Sequence, residues 1–187
     1  MSTAIKERTR AEIEAKLATM GDYVRMDYLQ RALKSEIDFE TKKFVLLRLA
    51  KIYEERKIYS EAGKLMRIAA DINTTFKGKI QDYMKAMDYF VKGSNYHEAD
   101  LTFASALALG NEREKIEIKK SYKDYYLAQG KMFLSMDQRS SARKTYEKIL
   151  GSIELSPIEK SEIQKTLLQL YERLGAVREY QNLKKVM

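Results

Sequence analysis

A helix–turn–helix layout recurs along this chain at a nearly constant period, and that recurrence limits the fold more than any other feature. Between Leu46 and Ala69, apolar residues fall at 46, 49, 50 and 53, then, after a polar break at Glu54–Lys57, at 58, 62, 65, 66 and 69. Both stripes have the 3.6-residue spacing of an amphipathic helix. The layout returns with Tyr83, Ala86, Met87 and Phe90, a turn at Gly93-Ser94-Asn95, and Tyr96, Ala99, Phe103 and Ala106. It returns again with Tyr126, Gly130 and Phe133, a turn at Met136-Asp137-Gln138, and Ala142, Tyr146 and Ile149. Weaker copies lie on either side. One runs from Leu17 through Met20-Gly21-Asp22-Tyr23 to Met26, Leu29 and Leu33. The other has Leu167, Leu168 and Tyr171, then Leu174-Gly175, then Val177, Tyr180 and Leu183. The anchors Met26, Ala62, Ala99, Ala142 and Tyr180 are spaced 36, 37, 43 and 38 residues apart.

Small residues (Ala50, Ala62, Ala69, Ala99, Ala106, Gly130, Ala142) let two helix backbones approach. Large ones (Tyr53, Phe90, Phe103, Phe133, Tyr146, Tyr171) fill the space between neighbouring pairs. One pair cannot bury its own stripe, so the pairs must stack, with more polar copies at the ends. Composition agrees with a helical chain. One proline and eight glycines in 187 residues are too few for the turns of a sheet protein. Helix starts are legible too. Asn111 reads as an N-cap with Glu112 and Glu114 in the first turn of a long helix, whose buried side is expected to carry Ile116, Ile118, Tyr122, Tyr125 and Tyr126. Ser156-Pro157-Ile158-Glu159 reads as a capping box with proline at the first helical position.

The order Leu49-Ala50, Tyr53, Tyr59, Ala62, Met66, Ala69 resembles the tetratricopeptide pattern of small and large positions. Tyr83, Phe90, Tyr96, Ala99, Phe103 and Ala106 match it similarly. The resemblance covers roughly residues 8–187. It departs from the family in its period, longer than the usual ~34 residues, in having no Trp at the first large position, and in lacking the repeat-ending Pro except at Pro157. Longer helices of this kind are also similar to those of soluble NSF attachment proteins and coat-protein solenoids. The resemblance implies an all-α, right-handed α-solenoid of about five stacked antiparallel helix pairs, forming one domain over residues 1–187.

Residues that carry chemistry are sparse. His97 is the lone histidine and reads as a surface or capping residue. Glu54 and Glu55 are neighbours in a helix, so they point about 100° apart. Neither a glycine-rich phosphate loop nor a nucleophile elbow is present. No catalytic residue, metal site or cofactor is therefore expected, and the chain is read as not an enzyme. Without cysteine it has no disulfide or thiolate site, which fits a reducing compartment, and a cytoplasmic location is expected. The amino-terminal stretch is charged and lacks the apolar core of a signal peptide, and no apolar run reaches the ~20 residues of a membrane span.

Net charge is +8. It is spread out: residues 41–78 hold nine basic and four acidic side chains, and residues 1–40 hold seven and eight. Such a chain attracts acidic partners weakly. Tyr125 and Tyr126, preceded by Lys119, Lys120 and Lys123, form the best candidate for stacking and phosphate pairing with nucleic acid. In tetratricopeptide proteins the first helix of each pair lines the concave face. Carried onto this chain, the resemblance implies a groove of Phe44, Leu47, Arg48 and Lys51, then Gln81, Met84, Lys85 and Asp88, then Asp124, Leu127 and Lys131. That groove mixes apolar and basic groups and suits an amphipathic helix or an extended peptide carrying acidic residues. The carboxylate clamp of chaperone-binding members is not expected, because Lys51, Asp88 and Lys131 stand at its asparagine positions. The expected function is a protein–protein scaffold or adaptor. The alternative is a nucleic-acid-associated helical-repeat protein using its net positive charge. Homo-oligomers through an end repeat are compatible with either.

Overall fold

The computed structural model describes residues 4–152 and 154–187, and among them the regular structure is helical, without strands. The helices are α1 (Arg10–Ala18), α2 (Asp22–Ala32), α3 (Phe39–Glu55), α4 (Tyr59–Asp71), α5 (Phe76–Lys92), α6 (Tyr96–Leu109), α7 (Glu112–Ser135), α8 (Arg139–Ser152), α9 (Pro157–Leu174) and α10 (Val177–Lys185). They fall into two compact units, Met1–Lys115 and Ile116–Met187. In the first unit, α1 and α2 pack on α3, α3 on α4, α4 on α5 and α5 on α6. In the second, the Tyr146 ring of α8 closes over Gly130 of α7, α8 packs on α9, and α9 on α10. Within each unit, helices that follow one another in the chain pack together, and each unit is a solenoid-like stack of helices.

Four of the within-pair turns share one hydrogen-bonded design. The helices α3, α5, α7 and α9 each run into a residue with left-handed backbone: Lys57, Ser94, Asp137 and Gly175, with φ of 59°, 55°, 55° and 67°. The next N–H reaches back five residues in every case, from Ile58 to Tyr53, Asn95 to Phe90, Gln138 to Phe133 and Ala176 to Tyr171, each at 2.8 Å. The left-handed residue's own N–H reaches back three, to Glu54, Val91, Leu134 and Glu172, at 2.9–3.1 Å. These are Schellman closures, which satisfy carbonyls the helix end would leave orphaned. The acceptor of the long bond is always aromatic, so one residue both ends the first helix and fills the space beside it. The second helix starts two residues past the left-handed one and the anchor stands five past it, at Ala62, Ala99, Ala142 and Tyr180. The anchors' N–H groups bond to the carbonyls four residues back at 2.9–3.1 Å.

Ala62, Ala99 and Ala142 are completely buried. Met26 and Tyr180, the anchors of the weak copies, are only half-buried. The turn before Met26 has no left-handed residue: Gly21 has φ −75° and caps α2 instead. The first pair is held differently, by a cluster in which Ile5, Ile13, Leu17, Tyr28 and Leu29 pack against Phe44, Val45 and Leu49. The helix starts read from sequence hold. Asn111 accepts from the Glu114 N–H at 3.0 Å while Glu114 accepts from the Asn111 N–H at 2.9 Å. Ser156 and Glu159 form the same reciprocal pair, with Pro157 first in α9.

Ile58, Ile116 and Val177, expected on buried stripes, are exposed. Ile58 is exposed because it belongs to the turn rather than to α4. Ile116 is 69% exposed. The buried stripe of α7 runs through Ile118, Tyr122, Tyr126, Gly130 and Phe133, and Ile116 lies two residues, about 200°, off it.

The shared turn makes a paired prediction. A non-glycine residue in the left-handed region costs about 1–2 kcal/mol, against about 0.5–1 kcal/mol of extra unfolded-state entropy for glycine. Lys57→Gly is expected to raise stability by about 0.5–1 kcal/mol. Gly175→Ala, where a Cβ would meet open space, is expected to lower it by a similar amount, both read from urea midpoints.

Candidate functional site

A cavity of about 400 Å³ opens between α1, α2 and α3 in the first unit. Leu17, Ala18, Leu29 and Ile52 give it an apolar lining, and Glu14, Arg25, Arg48, Lys51 and Glu55 give it charge. Arg48, Lys51 and Glu55 are at positions i, i+3 and i+7 of α3 and so share one face. Two of the cations are already oriented. Arg25 donates from Nε to the Leu17 carbonyl at 3.0 Å and from Nη1 to Asp22 at 3.2 Å. Arg48 pairs with Glu14 at 3.0 Å. Lys51 and Glu55 are exposed.

Of the expected groove residues on α3, Arg48 and Lys51 line this cavity and Leu47 is exposed on the surface. Phe44 does not line a groove. It is 9% exposed and belongs to the apolar cluster of the first pair, with the guanidinium groups of Arg10 and Arg48 over its ring at 4.9 and 5.3 Å. At the start of α3 the neighbouring first pair covers it, which the repeat pattern of α3 alone does not reveal.

On α5, Gln81 is exposed and Met84 half-buried. Lys85 and Asp88 belong to an internal network. Lys85 pairs with Glu54 of α3 at 3.2 Å and lies 3.7 Å from Asp88, which is paired with Lys92 at 2.8 Å. The Tyr89 hydroxyl donates to Glu54, and the Lys85 ammonium sits 4.5 Å over the Tyr89 ring. Burial works against the Glu54 charge, but Tyr89 and Lys85 outweigh it and hold the carboxyl below its ordinary range. Burial, and then the bond to Glu54, pushes the Tyr89 phenol up. A second tie joins the starts of the same helices, Lys43 to Asp82 at 3.0 Å. Much of the cationic character expected along α3 and α5 is thus spent in joining them.

Asp124 and Lys131 are exposed and Leu127 half-buried on α7, all in the second unit. The aromatic–basic patch expected there is taken apart. Tyr126 is buried, its ring 4.8 Å from that of Tyr122, and Lys123 is paired with Glu159 of α9. That hydrogen bond, with those of Ser156, holds the Glu159 carboxyl down at about 2. Lys119 and Lys120 remain exposed. His97 is exposed in the first turn of α6, and among the described residues no three His, Cys, Asp or Glu side chains cluster to hold a metal ion.

The cavity walls from α1 and α2 are not visible in the sequence because that pair is the degenerate copy. Its Leu17 and Leu29 stand out as helix-stripe residues. Nothing local marks Glu14 or Arg25 as facing α3.

No family model matches the chain, and no curated protein is similar to it. Among solved structures it is similar to BtubC (BKLC) from P. vanneervenii, at 14% identity and a TM-score of 0.38, over 92% of this chain and 72% of that one. It is also similar to a TPR repeats protein from Bacteroides fragilis NCTC 9343, at 18% identity and a TM-score of 0.43, over 96% and 84%. Likenesses this distant carry nothing further. The repeat frame rests on the four shared turns and their buried anchors.

Proposed function

We propose that the chain is a non-enzymatic interaction scaffold, that residues 1–187 serve it as one module, and that it takes a peptide or helix on the first-helix face. The observation that carries this reading is the cavity beside α3: an apolar floor large enough for a leucine or phenylalanine side chain, with Arg25, Arg48 and Lys51 at its edge. Leu47, Gln81 and Met84 extend the same reading along the first-helix face of the first unit, and Asp124, Leu127 and Lys131 are its counterparts in the second. A partner with a large apolar side chain next to an acidic residue fits this chemistry, because the side chain leaves water while the carboxylate meets cations already oriented. The nucleic-acid reading loses its best surface with the burial of Tyr126 and the pairing of Lys123. A cytoplasmic adaptor is the form of the proposal that fits a cysteine-free, mildly basic chain.

Selection from a random peptide library on the immobilised chain tests this. Enriched sequences are expected to pair a large apolar residue with Asp or Glu. Lys51→Glu should weaken the selected peptides by about tenfold or more through like-charge repulsion, with an unchanged thermal melt. Enrichment of basic or purely polar sequences, or full binding by the variant, would overturn the proposal.

A further inference from the structure

Phe39 and Phe76 are 73% and 71% exposed, unusual for side chains of this size. Their positions are equivalent. Each is the first residue of a first helix and lies 18 residues before that helix's left-handed turn residue, Lys57 or Ser94. Internal contacts hold both starts in place. Lys43, one turn beyond Phe39, pairs with Asp82, one and a half turns beyond Phe76. Asp82 also accepts from the Asn73 amide at 2.7 Å, and Asn73 in turn accepts from the N–H of Thr75, which caps α5. Two exposed phenylalanines therefore mark the starts of α3 and α5, which the Lys43–Asp82 pair ties together at one edge of the first unit.

The charges around the two rings differ in sign. Glu36, Asp38 and Glu40 surround Phe39, whereas Lys77 and Lys79 follow Phe76. Asp38 is occupied in capping α3 through the Thr41 N–H. Among the described residues, the side chains of Glu36, Glu40, Lys77 and Lys79 have no ion-pair partner. An anionic lipid surface would be repelled by the acidic half of this edge, and an acidic peptide likewise.

We infer that this edge is a self-association surface whose occupant is the same edge of a second copy of this chain. A two-fold axis brings the Phe39 turn of each copy against the Phe76 turn of the other, so that Glu36 and Glu40 meet Lys77 and Lys79 twice while the four rings leave water together. An isologous interface requires this kind of self-complementarity. The four rings would remove on the order of 600 Å² from water. That is below the roughly 1,200 Å² of a stable complex, so the dimer is weak and forms only at high protein concentration.

Sedimentation velocity from micromolar to millimolar protein tests the inference. A monomer–dimer equilibrium is expected, weakening as salt rises. Phe39→Ser with Phe76→Ser should weaken it by about tenfold or more, since both rings are solvated in the monomer. Lys77→Glu with Lys79→Glu gives an all-acidic edge, and Glu36→Lys with Glu40→Lys an all-basic one. Each should be monomeric alone, and the two mixed should form a heterodimer. A wild-type chain that stays monomeric at millimolar concentration overturns the inference. So does a dimer indifferent to the phenylalanine changes, or a mixture of folded charge variants that does not associate.

Discussion

Replacing Phe90 by Ala is expected to cost about 3–5 kcal/mol, the range for deleting a fully buried phenyl ring from a core that cannot collapse around the gap. Phe90 has no exposed surface. Its ring occupies the place of the side chain that Gly63 lacks: a Cβ built on Gly63 would lie 2.7 Å from the ring. The Arg67 guanidinium, one turn along α4 from Gly63, lies 5.8 Å from the ring centroid and is itself paired with Glu98 of α6. Removing the ring leaves a void between α4 and α5 lined on one side by bare backbone, so relaxation recovers little. The urea midpoint should fall with little change in slope. The argument also fixes the sign of a second change. Gly63→Ala destabilises the wild type by crowding the ring. In the Phe90→Ala background it should become neutral or stabilising, because the crowding is gone and alanine favours the helix over glycine by about 1 kcal/mol. Additive effects of the two substitutions would show that the ring does not fill the glycine's space.

How much of this could be read in the chain depends on the distance over which each feature is encoded. The turns after Tyr53, Phe90, Phe133 and Tyr171 are local. Their aromatic residues and the anchors nine residues on, alanine in three of the four, are visible in the sequence, and the closures join residues only three and five apart. Even there the left-handed residue is largely hidden, since Lys57 and Ser94 carry no conformational mark, Asp137 a weak one and only Gly175 a strong one. The N-cap at Asn111 and the capping box at Ser156 are legible for the same reason of range. The binding face was less so. Phe44 has the spacing of a groove residue on α3, but it is buried in a cluster with residues of α1, α2 and the segment before them. Lys85 looks like a free groove cation until Glu54, 31 residues earlier, is placed beside it. Which surface charges remain available is a property of helix stacking, and single-helix periodicity does not contain it.

Ala99→Leu is expected to cost about 1–3 kcal/mol by overpacking, and Ala62→Leu and Ala142→Leu similar amounts. All three alanines are fully buried one turn into the second helix of a pair. Three more carbon atoms there must push the helices apart or force a strained rotamer, because a close-packed interior has no spare volume. The same helix supplies its own control. Ala104 and Ala108 are exposed on α6, so leucine there meets water and should change stability by no more than about 0.5 kcal/mol. Tyr180, the half-buried anchor of the last pair, already carries a large side chain, and Tyr180→Leu should likewise cost less than any of the alanine changes. For a chain of this length each kcal/mol corresponds to about 2–4 °C of melting temperature, so the two classes should separate clearly in thermal melts. Equal sensitivity at Ala99 and Ala104 would mean that α6 does not turn its Ala99 face toward α5, and the repeat register built on the anchors would fail with it.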